Sequence, residues 1–170
     1  FWVFDGYNEN LCHYDFVDDH GPGGEYHADG KVTRHTDIEL VREVDIPSHM
    51  VKNQSTGKLY ICDTKNGRVI EVDPSTAKFV KNLVATNELL TSYREFNGAT
   101  VTPVIEGLKK PCGIALRENR LFVSDYESGI LHVIDINTMD ELTEFDTGQK
   151  GNTGIEISKE GEIWLTNYEK

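Results

Sequence analysis

Side chains able to hold a cation crowd into one segment, Asp18-Asp19-His20-Gly21-Pro22-Gly23-Gly24-Glu25-Tyr26-His27-Ala28-Asp29-Gly30. Its glycines let a loop fold sharply enough to bring several donors to one point. Asp18, Asp19, His20, His27 and Asp29, joined by Glu25, are therefore the candidate metal ligands. Oxygen donors favour calcium, and the His pair favours zinc or another transition ion, so a divalent metal of either kind is the one cofactor the residues suggest. The spacing fits no standard motif, and an EF-hand is excluded because its acidic ladder and terminal Glu are missing. The competing reading is an ordinary polar loop whose His and Asp side chains bond to backbone.

His49, in Pro47-Ser48-His49-Met50-Val51, is the candidate ligand-binding residue outside that loop, and a packed or hydrogen-bonded imidazole is its alternative. No Gly-x-Ser-x-Gly elbow, phosphate-binding Gly-x-x-x-x-Gly-Lys-Ser/Thr loop or strand-linked Gly-x-Gly-x-x-Gly occurs, and no catalytic residue is assigned. Cys12, Cys62 and Cys112 form no Cys-x-x-Cys pair, which removes zinc-ribbon and thioredoxin-like readings. Cys12 and Cys62 lie on apolar strands and read as small buried residues, with one disulfide plus a free thiol as the other arrangement.

A recurring unit positions these residues. Trp2-Val3-Phe4-Asp5 leads to Asp15, Tyr60-Ile61-Cys62-Asp63 to Asp73, and Phe122-Val123-Ser124-Asp125 to Asp135; another copy starts at Trp164-Leu165-Thr166-Asn167. Self-similarity of this kind indicates stacked supersecondary units that cannot bury their apolar faces alone. Asn8, Asn66 and Ser128 follow the marker at one shared spacing and suit a tight hairpin turn. Asp5, Asp63 and Asp125 thus read as structural acceptors of turn N–H groups rather than as a carboxylate cluster. Upstream strands are expected at Pro47 to Val51, Pro111 to Leu116 and Asn152 to Ile157, and outer strands at Gly30 to Arg34, Lys78 to Leu83 and Leu142 to Phe145. Ala85 to Phe96 carries a helical pattern, with Leu89, Tyr93 and Phe96 on one face.

Pro111-Cys112-Gly113-Ile114-Ala115 and Asp63-Thr64-Lys65-Asn66-Gly67-Arg68-Val69 resemble the repeat of the NHL-type propellers, Pro-x-Gly-Ile-Ala followed after a turn by Ala-Asp-x-x-Asn-x-Arg-Ile. The resemblance spans essentially the whole chain outside its insertions. It implies an all-β fold, a β-propeller of four-stranded blades, of which about three blades' worth of sequence is present. The resemblance further implies that residues 1–170 form a single propeller region, with repeat cores near 1–16, 47–73, 111–135 and 152–170 and insertions at 17–30 and 84–110. The chain opens and closes within second strands, so completion of the ring by missing sequence or by another chain is expected.

A rigid blade array presenting loops implies a binding or scaffold module whose protein, peptide or glycan partner docks on a propeller face. The first alternative is a metal-dependent propeller enzyme, lyase- or hydrolase-like, with its site at the central channel near His49. Peptidylglycine amidating lyases look like NHL-type propellers that gather channel histidines around zinc, but the positions equivalent to His49 here are Gly113 and Gly154, which argues against that lyase. The second alternative is a structural component of an extracellular assembly, and an extracellular or extracytoplasmic setting is favoured.

Charge narrows the partners. The 170 residues carry 29 acidic against 17 basic side chains, a formal charge of −12, and Lys109-Lys110 is the one basic cluster. Such a surface repels phosphate backbones, so no nucleic-acid partner is expected. No stretch approaches the roughly 20 apolar residues of a membrane helix, so no membrane span is expected either.

Overall fold

The computed structural model describes residues 1–17, 29–85 and 91–168. Among them the regular elements are fifteen strands and a 3-10 turn at Pro74–Thr76, so the chain is all-β. It divides into two compact units, Phe1–Leu40 with Ser75–Thr100 and Val41–Pro74 with Val101–Lys170.

In the first unit, β1 (Trp2–Asp5), β2 (Asn10–Asp15), β3 (Lys31–His35), β7 (Lys78–Asn82) and β8 (Ser92–Asn97) form one sheet in the order β1-β2-β3-β8-β7. β1, β2 and β3 are an antiparallel meander, β8 runs parallel to β3, and β7 closes the edge antiparallel to β8.

The second unit holds three small antiparallel sheets. The first orders β4 (Met50–Lys52), β5 (Leu59–Asp63), β6 (Arg68–Asp73) and β9 (Thr100–Glu106). The next is β10 (Pro111–Arg117), β11 (Arg120–Asp125), β12 (Ile130–Asp135) and β13 (Asp140–Asp146), and the last pairs β14 (Asn152–Ile157) with β15 (Ile163–Asn167). A short apolar run bounded by turns suits a strand covered on both faces. All of Leu59–Asp63 is buried, and Tyr60, Cys62 and Val69 share a core with Val104, Ile114, Leu121, Val123 and Ile134.

The repeat register is visible in the pairing. Tyr60, Phe122 and Trp164 each lie at the same place in the strand that follows the first strand of its sheet, opposite Val51, Ala115 and Glu156. Trp2 faces His13 across its hairpin as Tyr60 faces Glu71 and Phe122 faces Val133.

Two expectations are corrected in residues 78–106. Ser92–Asn97 is a strand, not the end of a helix; residues 86–90 lie outside the described residues. Pairing with β3 on one side and β7 on the other satisfies the β8 backbone, and such non-local bonding overrides a weak helical period. Arg94 donates to Thr33 Oγ1 at 3.2 Å, and the Phe96 ring meets Phe79 edge-on at 5.8 Å. Lys78–Asn82 therefore belongs to the sheet of the first unit, and β9 takes the outer place beside β6.

Candidate functional site

The marker carboxylates build turns. Asp5 Oδ1 accepts the N–H groups of Tyr7 and Asn8 at 3.3 and 3.2 Å, while Oδ2 accepts Asn8 Nδ2 at 2.7 Å and Arg34 at 2.9 Å. Asp63 Oδ2 accepts Asn66 Nδ2 and Arg68 Nε, both at 2.8 Å, and its Oδ1 accepts the Val41 N–H at 3.1 Å. Asp125 collects four backbone N–H groups, those of Lys109, Lys110, Glu127 and Ser128. At the Asn167 copy the polarity reverses, because an amide can donate: Nδ2 reaches the Lys150 carbonyl. Burial raises the Asp5 carboxyl, but the bonds from Asn8 and Arg34 together outweigh it and hold the group below the usual carboxylate range. Each marker side chain is thus occupied in hydrogen bonds that build its turn.

Next to these turns the first strands β4, β10 and β14 approach one another. His49, Gly113 and Gly154 fall opposite Cys62, Ser124 and Thr166, as the pairings Met50–Ile61, Ile114–Val123 and Gly154–Thr166 require. A Cβ on Gly113 would lie 2.7 Å from Ser124 Oγ and 2.9 Å from the Thr153 carbonyl, and one on Gly154 would lie 2.7 Å from Thr166 Oγ1. At Gly113 glycine is needed because the backbone of β14 occupies the side-chain volume, whereas at Gly154 the close atom is the rotatable hydroxyl of Thr166. Hydroxyls fill the remaining polar gaps: Ser124 Oγ accepts from Gly113 N and donates to the Asn152 carbonyl, both at 3.0 Å, and Thr64 Oγ1 donates to the Pro111 carbonyl at 2.7 Å. Of the three equivalent positions, His49 alone carries a side chain, and it is exposed. Its backbone joins β4 to its neighbours, the N–H donating to the Cys112 carbonyl at 3.2 Å and the carbonyl accepting Cys62 N–H at 2.9 Å.

The same three strands border an open cleft of about 520 Å³. Val51, Ile114, Leu116, Ile155 and Ile157 supply its apolar lining, and Arg117, Glu156 and Lys159 supply charge of both signs. Arg117 is held by donating to the Ser158 and Lys159 carbonyls, each at 2.9 Å, which clamps the end of β10 to the turn after β14. A concave lining with a few convergent polar groups is the usual character of a binding site.

Asp18, Asp19, His20 and His27, together with Glu25, lie outside the described residues, so their part in a metal loop is not placed. Asp29 is half-buried in the turn leading into β3. His49 borders the first-strand surface but belongs to no three-donor cluster among the described residues. The cysteines are buried free thiols: Cys112 Sγ bonds the Pro47 carbonyl at 3.0 Å, and Cys12 Sγ bonds Asn10 Oδ1 at 3.2 Å. Burial pushes the Cys112 thiol up to about 12 and drives Cys62 well above its ordinary value, so neither is a thiolate nucleophile at neutral pH.

Sequence reasoning missed the cleft, which is assembled from strands far apart in the chain. It also missed His132, Glu141 and Glu144, whose ligand atoms lie within 4.8 Å of one another. Their one signal was a His on an apolar strand followed by a hairpin to a Glu-rich strand, which carries no metal-binding spacing. No protein-family model matches the chain, and no curated protein matches it.

Proposed function

We propose that this chain is a set of NHL-type propeller blades that acts as a recognition module, docking an extended protein or peptide segment on the surface formed by β4, β10 and β14. The carrying observation is the cleft, whose apolar lining and charges of both signs suit a peptide's mixed side chains. The repeated meander with its Asp-centred turns supports the propeller reading, and loops on such rigid arrays commonly carry recognition. Arg117, Glu156 and Lys159 also offer polar groups to a glycan, whereas a phosphate polymer is disfavoured by the charge of −12. Lys110, half of the one basic pair, is also ion-paired with Glu43. No helix among the described residues is long and apolar enough to cross a membrane.

The test is selection of displayed random peptides on the purified chain, followed by anisotropy titration of the enriched peptide against Glu156→Lys and Lys159→Glu. Both positions are exposed, so the variants should fold. Affinity should fall about tenfold or more for at least one charge reversal. Equal affinity for both variants and the parent would remove the cleft as the docking surface.

A second reading, a metal-dependent enzyme centred on His49, is favoured by the exposed imidazole where the equivalent positions are glycine. It predicts that His49→Ala lowers the metal content of purified protein, and unchanged content rejects it.

A further inference from the structure

We propose that His132, Glu141 and Glu144 form a binding site for a divalent transition ion of the zinc type, clipping β13 to β12. The site depends on a break in the ladder. Glu144 lies directly across from His132, and regular alternation would then turn Glu141 to the other face of β13. Between Val133 and Ile134 the register shifts, so that Thr143 pairs with Val133 but Glu141 pairs with Ile134. A bulge of this kind re-aims a side chain. It brings Glu141 back to the face of His132, where Oε1 lies 2.6 Å from Nδ1.

The resulting set is one imidazole nitrogen and two carboxylate oxygens, all within 4.8 Å of one another. His132 is 7% exposed, so packing holds its ring, while both glutamates are exposed and can close on an ion arriving from solvent. One nitrogen and two oxygens, with water completing a tetrahedron, suit zinc. Calcium is a poor match because it takes six to eight oxygen ligands. Two carboxylates on a chain of net charge −12 favour a cation electrostatically. An ion here also braces a weakly held strand, since every residue of β13 is exposed and, among the described residues, β13 is the edge of its sheet, paired with β12.

The site stands independently of the propeller reading and of the loop at 18–29. Tag-free protein stripped with a chelator and dialysed is titrated with zinc chloride by calorimetry, beside His132→Ala and Glu144→Gln. We expect one zinc per chain bound at this site, with affinity reduced about 100-fold or more in His132→Ala, at least the upper end of what loss of an outer-shell partner costs. Glu144→Gln, a change at an exposed side chain, should also weaken binding, and zinc should raise the unfolding temperature of the parent but not of His132→Ala. Absence of zinc uptake, or parent-like affinity in either variant, overturns the site. An equal response to calcium chloride overturns its assignment to a transition ion.

Discussion

The hairpin turn of β5–β6 and that of β1–β2 follow one plan with different residues at its tightest point. In each, an Asp closes the strand and an Asn bonds back to its carboxylate, at 2.8 Å for Asn66 and 2.7 Å for Asn8. The next residue adopts a left-handed backbone, but it is Gly67 at φ +63° in one turn and Glu9 at φ +54° in the other. Chain crossing explains the choice. A Cβ at Gly67 would sit 2.3 Å from the Leu108 carbonyl, whose own N–H bonds back to the Gly67 carbonyl at 2.9 Å. Gly129 repeats the arrangement against Gln149 at 2.5 Å. The conformation is thus set by the turn, and glycine is required where another segment crosses it.

The two units also differ inside. The second packs mainly aliphatic residues, and its buried Glu71 is satisfied by Lys58 Nζ and Tyr60 Oη, both at 2.7 Å. The sheet of the first stacks Trp2 on His13 at 4.4 Å and against His35 at 5.7 Å, and leaves His35 Nδ1 buried without a hydrogen-bond partner among the described residues.

The largest test of this contrast is Asp63→Ala against Asp5→Ala. Asp63 is fully buried and holds Arg68, so its loss should cost about 3 kcal/mol. Asp5 and Arg34 are partly solvated, and Asp5→Ala should cost about 1 kcal/mol. Urea unfolding measures both, and equal costs would erase the distinction between the turns. Gly67→Ala comes next, at about 2 kcal/mol, because it adds a steric overlap to a left-handed backbone; a neutral result would show that Leu108 gives way freely.

A pH series sharpens the internal difference. Burial lowers the His35 pKa, assisted by His13 and partly opposed by Asp37. The ring therefore stays neutral in the folded unit while the unfolded ring still takes a proton near pH 6.5. Its stability contribution is complete above that value and declines as the pH falls toward the folded pKa. His35→Leu should flatten the loss of urea midpoint between pH 7 and 5, and an unchanged slope would place the acid sensitivity elsewhere. The smallest effect is Glu9→Gly, which relieves a left-handed non-glycine residue and should stabilise by no more than about 1 kcal/mol. Destabilisation would mean that the Glu9 side chain contributes more than its backbone costs.

Much of the fold was legible in sequence because its signals are local. Each Asp and its Asn or Ser partner lie within a few residues, so the turns and the hairpins they join could be placed before any tertiary contact was known. Gly113 and Gly154 matched the repeat, yet the physical reason for Gly113, a strand within 3 Å of its missing Cβ, comes from Thr153 of β14, far along the chain. The repeat aligns His49 with those two glycines, but its exposure depends on what the neighbouring strands leave open.

The sequence by itself determined the all-β character, the aromatic-led strands and the Asp-centred turns, since period and turn chemistry are written in adjacent residues. Tertiary structure decided that β7 and β8 join β3, that β9 replaces β7 beside β6, and that one bulge turns Glu141 toward His132. Those outcomes depend on which distant strand edge satisfies a backbone and where a ladder slips by one residue, and no run of neighbouring residues encodes either.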